Sequence, residues 1–148
     1  MNIQIQIQGM DKFGKRLDKK KFDSFINATL FRVGNYMETQ AKTNIKKSVY
    51  SNKIGNFYKF SGKALQSIIF PGVQNKQSKV FVGVKYAKYL ETGTGIYNGR
   101  KPFWTTFGSQ LDRPILYKGM KARPFWNLAI ESTKKEIPKI QKEIFNKF

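Results

Sequence analysis

The sequence predicts an α+β fold in which an antiparallel sheet is packed by long N-terminal and C-terminal amphipathic helices. Three observations predict it. Phe22, Ile26, Leu30, Val33, Met37, Ala41, Ile45 and Val49 recur at steps of three and four residues, with Phe25 and Thr29 widening the stripe, which is the period of a helix lying on a core. Phe125, Leu128, Ala129, Ile137, Ile140, Ile144 and Phe148 repeat that period near the other end of the chain. Between them, residues 67–73 and 79–85 are rich in β-branched and aromatic side chains and flank a polar stretch, 74–78, the spacing of an antiparallel hairpin.

The elements follow in order. Ile3, Ile5 and Ile7 alternate with Asn2, Gln4, Gln6 and Gln8, so a strand with one buried and one wet face opens the chain and ends at Gly9. A short helical turn over residues 10–17 places Met10, Phe13 and Leu17 on one side, weakened by about 1 kcal/mol at Gly14. Lys19, Lys20 and Lys21 mark a junction before the long helix. Within that helix Gly34 reads as a close-packing point, and Lys42, Lys46 and Lys47 belong to the wet face.

Residues 50–62 change to Ser, Asn and Gly interleaved with Tyr50, Phe57, Tyr58 and Phe60, a loop whose aromatics either anchor it to the core or a neighbouring subunit or stack on single-stranded bases. Pro71 and Gly72 in the first hairpin arm imply an edge position, a bulge or an early strand end. Residues 86–91 suit one or two turns of helix, and Gly93 supplies the conformation that closes it. Glu91 sits at the negative end of that helix and needs a compensating donor, for which Arg123 is the candidate.

Residues 96–120 carry Tyr97, Phe103, Trp104, Phe107 and Tyr117 among glycines, prolines and basic residues. Connections longer than about 12 to 15 residues in compact domains are functional or disordered, and the aromatics argue against disorder. The segment reads as a projecting hairpin or arm, with strands near 101–107 and 113–118, contacting another subunit. Pro124 suits the first turn of the last helix. Pro138 removes the bond to Lys134 and either kinks that helix or divides it.

At 148 residues and 40% apolar content, the chain suits one core and a single domain, 1–148. No apolar run approaches the roughly 18 to 20 residues that cross a bilayer, and the first residues lack the plan of a signal peptide. A soluble protein, kept inside the cell that makes it and without membrane contact, is the expectation.

The charge admits two readings. The 28 Lys and Arg against 9 Asp and Glu, a net +19, suit nucleic acid, an anionic surface or an acidic protein partner. They equally suit a solvated surface in a lysine-rich, asparagine-rich chain encoded by a genome of biased base composition.

Nothing in the composition builds a catalytic centre. Without cysteine or histidine there is no disulfide, no thiol chemistry and none of the common zinc ligands. A nucleophile would also lack its usual activating base. The nine acids form no metal-binding pair in sequence, and a carboxylate-only magnesium site would require Asp112 to meet Glu91 in space. Gly93-Thr94-Gly95 ends a helix instead of beginning one, unlike a phosphate cradle. No enzyme activity and no cofactor are expected.

The run Tyr86-Ala87-x-Tyr89-Leu90-Glu91-x-Gly93-Thr94 is followed, after a variable insertion, by Ala122-Arg123-Pro124-Phe125 and a last helix. This order resembles the small tail-completion or neck (head-tail joining) proteins of long-tailed bacteriophages and prophages, over roughly residues 10–145. Ser61-Gly62 with Ser67-Ile68 resembles the segment preceding the sheet in that family, with Ala64 where its leucine stands and Leu65 after it. The resemblance implies a structural virion protein at the neck, where a tail meets the capsid, working as a homo-oligomeric ring, a hexamer by analogy with tail symmetry. Its implied partners are other neck and tail proteins, with nonspecific contact to the DNA end. The motif residues under that reading are Tyr86, Glu91, Gly93, Thr94, Arg123, Pro124 and Phe125, and the subunit interface falls on Tyr97, Phe103, Trp104, Phe107 and Tyr117. The rival reading is a basic single-domain nucleic-acid-binding protein.

Overall fold

A computed structural model of the protein describes residues 1–5, 18–50, 62–94, 96, 99–101, 103–105 and 115–147, with backbone alone at 5, 50, 103–105 and 115–117. The expected turn at 10–17, the loop at 51–61 and Phe148 lie outside the described residues.

Helix α1 (Lys19–Ile45) forms where the apolar stripe requires it, and a π-helical turn (Lys46–Tyr50) continues it. Asp18 caps its start by accepting the Lys20 N–H at 3.1 Å, which satisfies one of the orphan donors of a helix N-terminus. Ile26, Leu30, Val33, Met37, Ala41, Ile45 and Val49 are buried. Thr29 is buried with them, its hydroxyl donating to the Phe25 carbonyl at 2.9 Å. Lys46 and Lys47 are exposed, and Lys42, with its side chain 38% exposed, pairs with Glu38 at 2.5 Å. Gly34 is buried against Phe70 and Ser78, where an added Cβ would come within 2.6 Å of the Ser78 hydroxyl. Glycine lets the helix approach the sheet.

The sheet centres on β4. Strand β1 (Asn2–Ile5) pairs antiparallel with β4 (Gln77–Val82), Ile3 opposite Val80 and Gln4 opposite Lys79. On the other side of β4 lie β2 (Ile68–Ile69) and β3 (Val73–Gln74). Ser78, Val80 and Val82 are buried while Lys79 is exposed, the alternation of a sheet with one face on the core. The hairpin turn is tighter than its polar stretch suggested. Gln74, Gln77 and Ser78 enter the ladder, leaving a two-residue turn at Asn75 and Lys76, with φ of 49° and 56°. That is the double positive φ of the turn that matches strand twist. The outcomes open at Pro71 and Gly72 meet in this arm: it lies at the sheet edge, β2 stops at Ile69, and three residues, 70–72, with Gly72 at φ 99°, stand opposite two of β4 before β3 resumes the pairing. The second arm ends at Val82, three residues short of expectation, and Ser67 closes a short helix, α2 (Lys63–Gln66), instead of starting a strand.

Helix α3 (Ala87–Thr92) follows, then a two-stranded antiparallel pair, β5 (Phe103–Thr105) with β6 (Ile115–Tyr117), and last α4 (Trp126–Phe145). Helix α4 runs antiparallel along α1. Asn44 Nδ2 donates to the Phe125 carbonyl at 3.3 Å, while Phe25 meets Phe145 edge-on at 6.3 Å near the other end. Val33, Ile140 and Ile144 form one apolar cluster between the helices, and a larger one joins Met37, Ala41 and Ile45 to Ile68, Val80, Leu90, Phe125 and Trp126.

Of the two outcomes open at Pro138 in α4, division of the helix does not occur: it is continuous through this proline, and Pro138 and Lys134 are both exposed. One expectation for α4 is corrected. Leu128 is exposed, because Trp126 takes the buried position and two residues place Leu128 about 200° around the helix. Among the described residues, no helix is long and apolar enough to cross a membrane.

Candidate functional site

The residues singled out in two distant stretches meet at the junction of α3 and α4. Gly93 N–H donates to the Tyr89 carbonyl at 2.9 Å and ends α3 with φ 75° and ψ −179°, a region open to glycine and hardly any other residue. The space is as restrictive as the angle. A Cβ on Gly93 would lie 2.7 Å from the Met120 carbonyl oxygen and 2.8 Å from the Ala122 nitrogen. Thr94 then ties the outgoing chain to the returning one: its N–H donates to the Met120 carbonyl at 2.8 Å, and its hydroxyl accepts the Met120 N–H at 2.9 Å. One step further, Ile96 N–H donates to the Lys118 carbonyl at 2.9 Å.

Glu91 is the centre of the junction. It is 6% exposed, and its carboxylate accepts three backbone N–H groups at the start of α4: Phe125 and Trp126 on Oε2, both at 2.9 Å, and Asn127 on Oε1 at 3.0 Å. Helix α4 needs this, since its N-cap residue is Phe125, which has no side chain able to accept a hydrogen bond. A helix N-terminus carries orphan donors and a partial positive charge, and a carboxylate satisfies both. The cost of placing Glu91 at the C-terminal end of α3 is offset by the N-terminal end of α4.

Arg123 is not the donor. Among the described residues its guanidinium makes no ion pair with Glu91, and its buried Nη1 has no hydrogen-bond partner. Its contribution to the junction is its backbone N–H, which donates to the Leu90 carbonyl at 2.8 Å and satisfies one of the terminal carbonyls of α3. Pro124 is exposed and precedes the cap of α4, one position outside the first turn expected for it. Phe125 is fully buried in the larger cluster. Tyr86 stands at the start of α3 with its carbonyl accepting from Tyr89 and Leu90, and its ring is exposed.

Asn44 is a member of the junction that the sequence reading missed. It holds the Phe125 carbonyl from α1, and a lone asparagine on a helix face carries no signal of that partner.

With both carboxylate oxygens engaged by backbone donors, Glu91 is a structural group and not a free base. Among the described residues no group of three or more acids could hold a metal ion. Asp112, Tyr97 and Phe107 lie outside the described residues. For Phe103, Trp104 and Tyr117 the strand pairing alone is described, Phe103 opposite Tyr117 and Trp104 opposite Leu116. Comparison with family models, with curated proteins and with solved structures finds no match to this chain.

Proposed function

We propose that this chain is a structural protein of the neck of a long-tailed bacteriophage or prophage, completing the tail and joining it to the capsid connector as a homo-oligomeric ring, with no enzyme activity. One observation carries the reading. The two separated runs that resemble the neck-protein pattern, Tyr86 to Thr94 and Ala122 to Phe125, form one junction: Glu91 caps α4, and Gly93 packs on Met120 and Ala122. A shared physical reason for both runs makes their order more than coincidence. In this reading the segment 96–120, with β5 and β6 at its centre, projects as an arm whose aromatics Tyr97, Phe103, Trp104, Phe107 and Tyr117 pack on the next subunit. A hexamer follows by analogy with tail symmetry, other neck and tail proteins are the partners, and the protein resides in the virion after synthesis in the host cytoplasm.

The second reading, a free nucleic-acid-binding protein, draws on the net +19 charge. One experiment separates the two. Large aromatics carry most of an interface's binding energy, whereas nonspecific DNA affinity rests on phosphate neutralisation. The double variant Trp104→Ala with Phe107→Ala is expected to lose oligomer mass by light scattering while its DNA affinity at moderate salt stays nearly unchanged. An intact oligomer with lost DNA binding would reverse the ranking.

A further inference from the structure

We infer that the outer edge of β1, which no other described strand occupies, is a strand-addition site, and that its occupant is β1 of a second copy of this chain, joined antiparallel about a two-fold axis. The phase of the β1–β4 ladder carries the inference. Val82 N–H donates to the Met1 carbonyl at 3.1 Å, and hydrogen-bonded pairs alternate along an antiparallel ladder. Positions 1, 3 and 5 therefore bond to β4, consistent with Ile3 opposite Val80 and Ile5 opposite Ser78. The N–H and C=O groups of Asn2 and Gln4 point the other way, toward an edge that no other described strand occupies.

Proteins usually blunt such an edge with lysine, proline or a bulge. Strand β1 has none of these. Residues 1–10 hold no charged side chain in a chain with 28 Lys and Arg. The opposite edge of the sheet is closed by comparison: Ile68 is fully buried, and Pro71 and Gly72 interrupt the strand. Within this sheet β1 is the one uninterrupted edge among the described residues, so strand addition there stops at two copies.

Two features select a second copy as the occupant. With Asn2 opposite Gln4 of the second copy and the reverse, the joint forms four backbone hydrogen bonds and brings Ile3 against Ile3 on the core side of the sheet. Charge restricts where two copies can meet, because two +19 molecules repel over most of their surfaces and residues 1–10 carry no charged side chain. Lys79, opposite Gln4 in β4, would lie three strand spacings, about 14 Å, across the sheet from its counterpart's strand and two residues along it. That exceeds the screening length of about 8 Å at physiological salt. A two-fold joint cannot close a ring, so this contact is distinct from the arm contact proposed above and does not depend on it.

Gln4→Pro tests the joint without touching the ladder, since the N–H it removes points away from β4. The purified full-length parent and this variant are compared by sedimentation equilibrium over a concentration series, with circular dichroism as the check on folding. The expected result is a parent assembly whose mass halves in the folded variant, with association at least about tenfold weaker. A parent that stays monomeric at every concentration overturns the inference, and so does a parent oligomer unchanged in the folded variant. If Gln4→Pro fails to fold, the double variant Asn2→Cys with Gln4→Cys decides, in a chain that has no cysteine of its own. Oxidation is expected to give a covalent dimer linked through these positions, and its absence overturns the inference.

Discussion

The Glu91 carboxylate accepts the backbone N–H of Phe125 at 2.9 Å across 34 positions of sequence, and with Trp126 and Asn127 it supplies α4 with a cap that the helix does not carry itself. One side chain thereby ties the end of α3 to the start of α4.

Glu91→Ala is accordingly expected to destabilise by about 3 kcal/mol or more, since it strands buried donors that cost about 1 to 3 kcal/mol each when unpaired. Glu91→Gln keeps the shape but turns an amide donor toward the helix, and should fall between parent and alanine. Arg123→Met is expected to be neutral or stabilising, because the buried Nη1 has no partner to lose and an apolar replacement removes its desolvation. Urea unfolding of the three variants checks the order. An Arg123→Met protein weaker than Glu91→Gln would restore the ion pair as the main tie.

Gly93 and Gly62 both have positive φ, 75° and 70°, but Gly62 has the ψ of −3° that other residues can adopt where Gly93 has −179°, and a Cβ at Gly62 meets nothing within 4 Å. Gly62→Ala should cost about 1 kcal/mol from backbone strain alone. Gly93→Ala adds a collision with backbone that cannot swing aside, for a loss on the order of 3 kcal/mol. Equal losses in thermal unfolding would show that the chain at Met120 and Ala122 shifts to relieve both the collision and the strain.

Gly34→Ala should cost about 1 to 3 kcal/mol by overpacking against Phe70 and Ser78, measured by the same unfolding curves. Phe70→Ala in the same chain should recover part of that loss by making room. No recovery would place the strain elsewhere.

Met37 is 1% exposed at the centre of the α1 stripe. Met37→Asp puts an unpaired charge there and is expected to abolish folded expression or to lower stability by several kcal/mol. Exposed Leu128, by contrast, should accept aspartate with a change within about 0.5 kcal/mol.

What the sequence revealed follows from how local each signal is. The α1 stripe was readable from Ile26 to Val49 because one period spans seven turns. Gly93 was readable because a helix-stopping glycine acts within a few residues. The Glu91 cap was half readable: its position at a helix end demands a donor, but backbone N–H groups look alike in any sequence, and the guanidinium of Arg123 drew attention instead. Leu128 was misplaced because a stripe counted from Phe125 ignored Trp126, whose larger surface wins the buried position. Asn44 left no trace, since its partner is a carbonyl 81 positions away.

The most direct test of the proposed neck function is electron microscopy of lysates from the strain that carries this gene, with and without it. If the protein joins heads to tails, the deletion is expected to give filled capsids and separate tails, joined again when the parent chain is supplied in trans and left apart by the Trp104→Ala, Phe107→Ala variant. Complete, infectious particles from the deletion would contradict it.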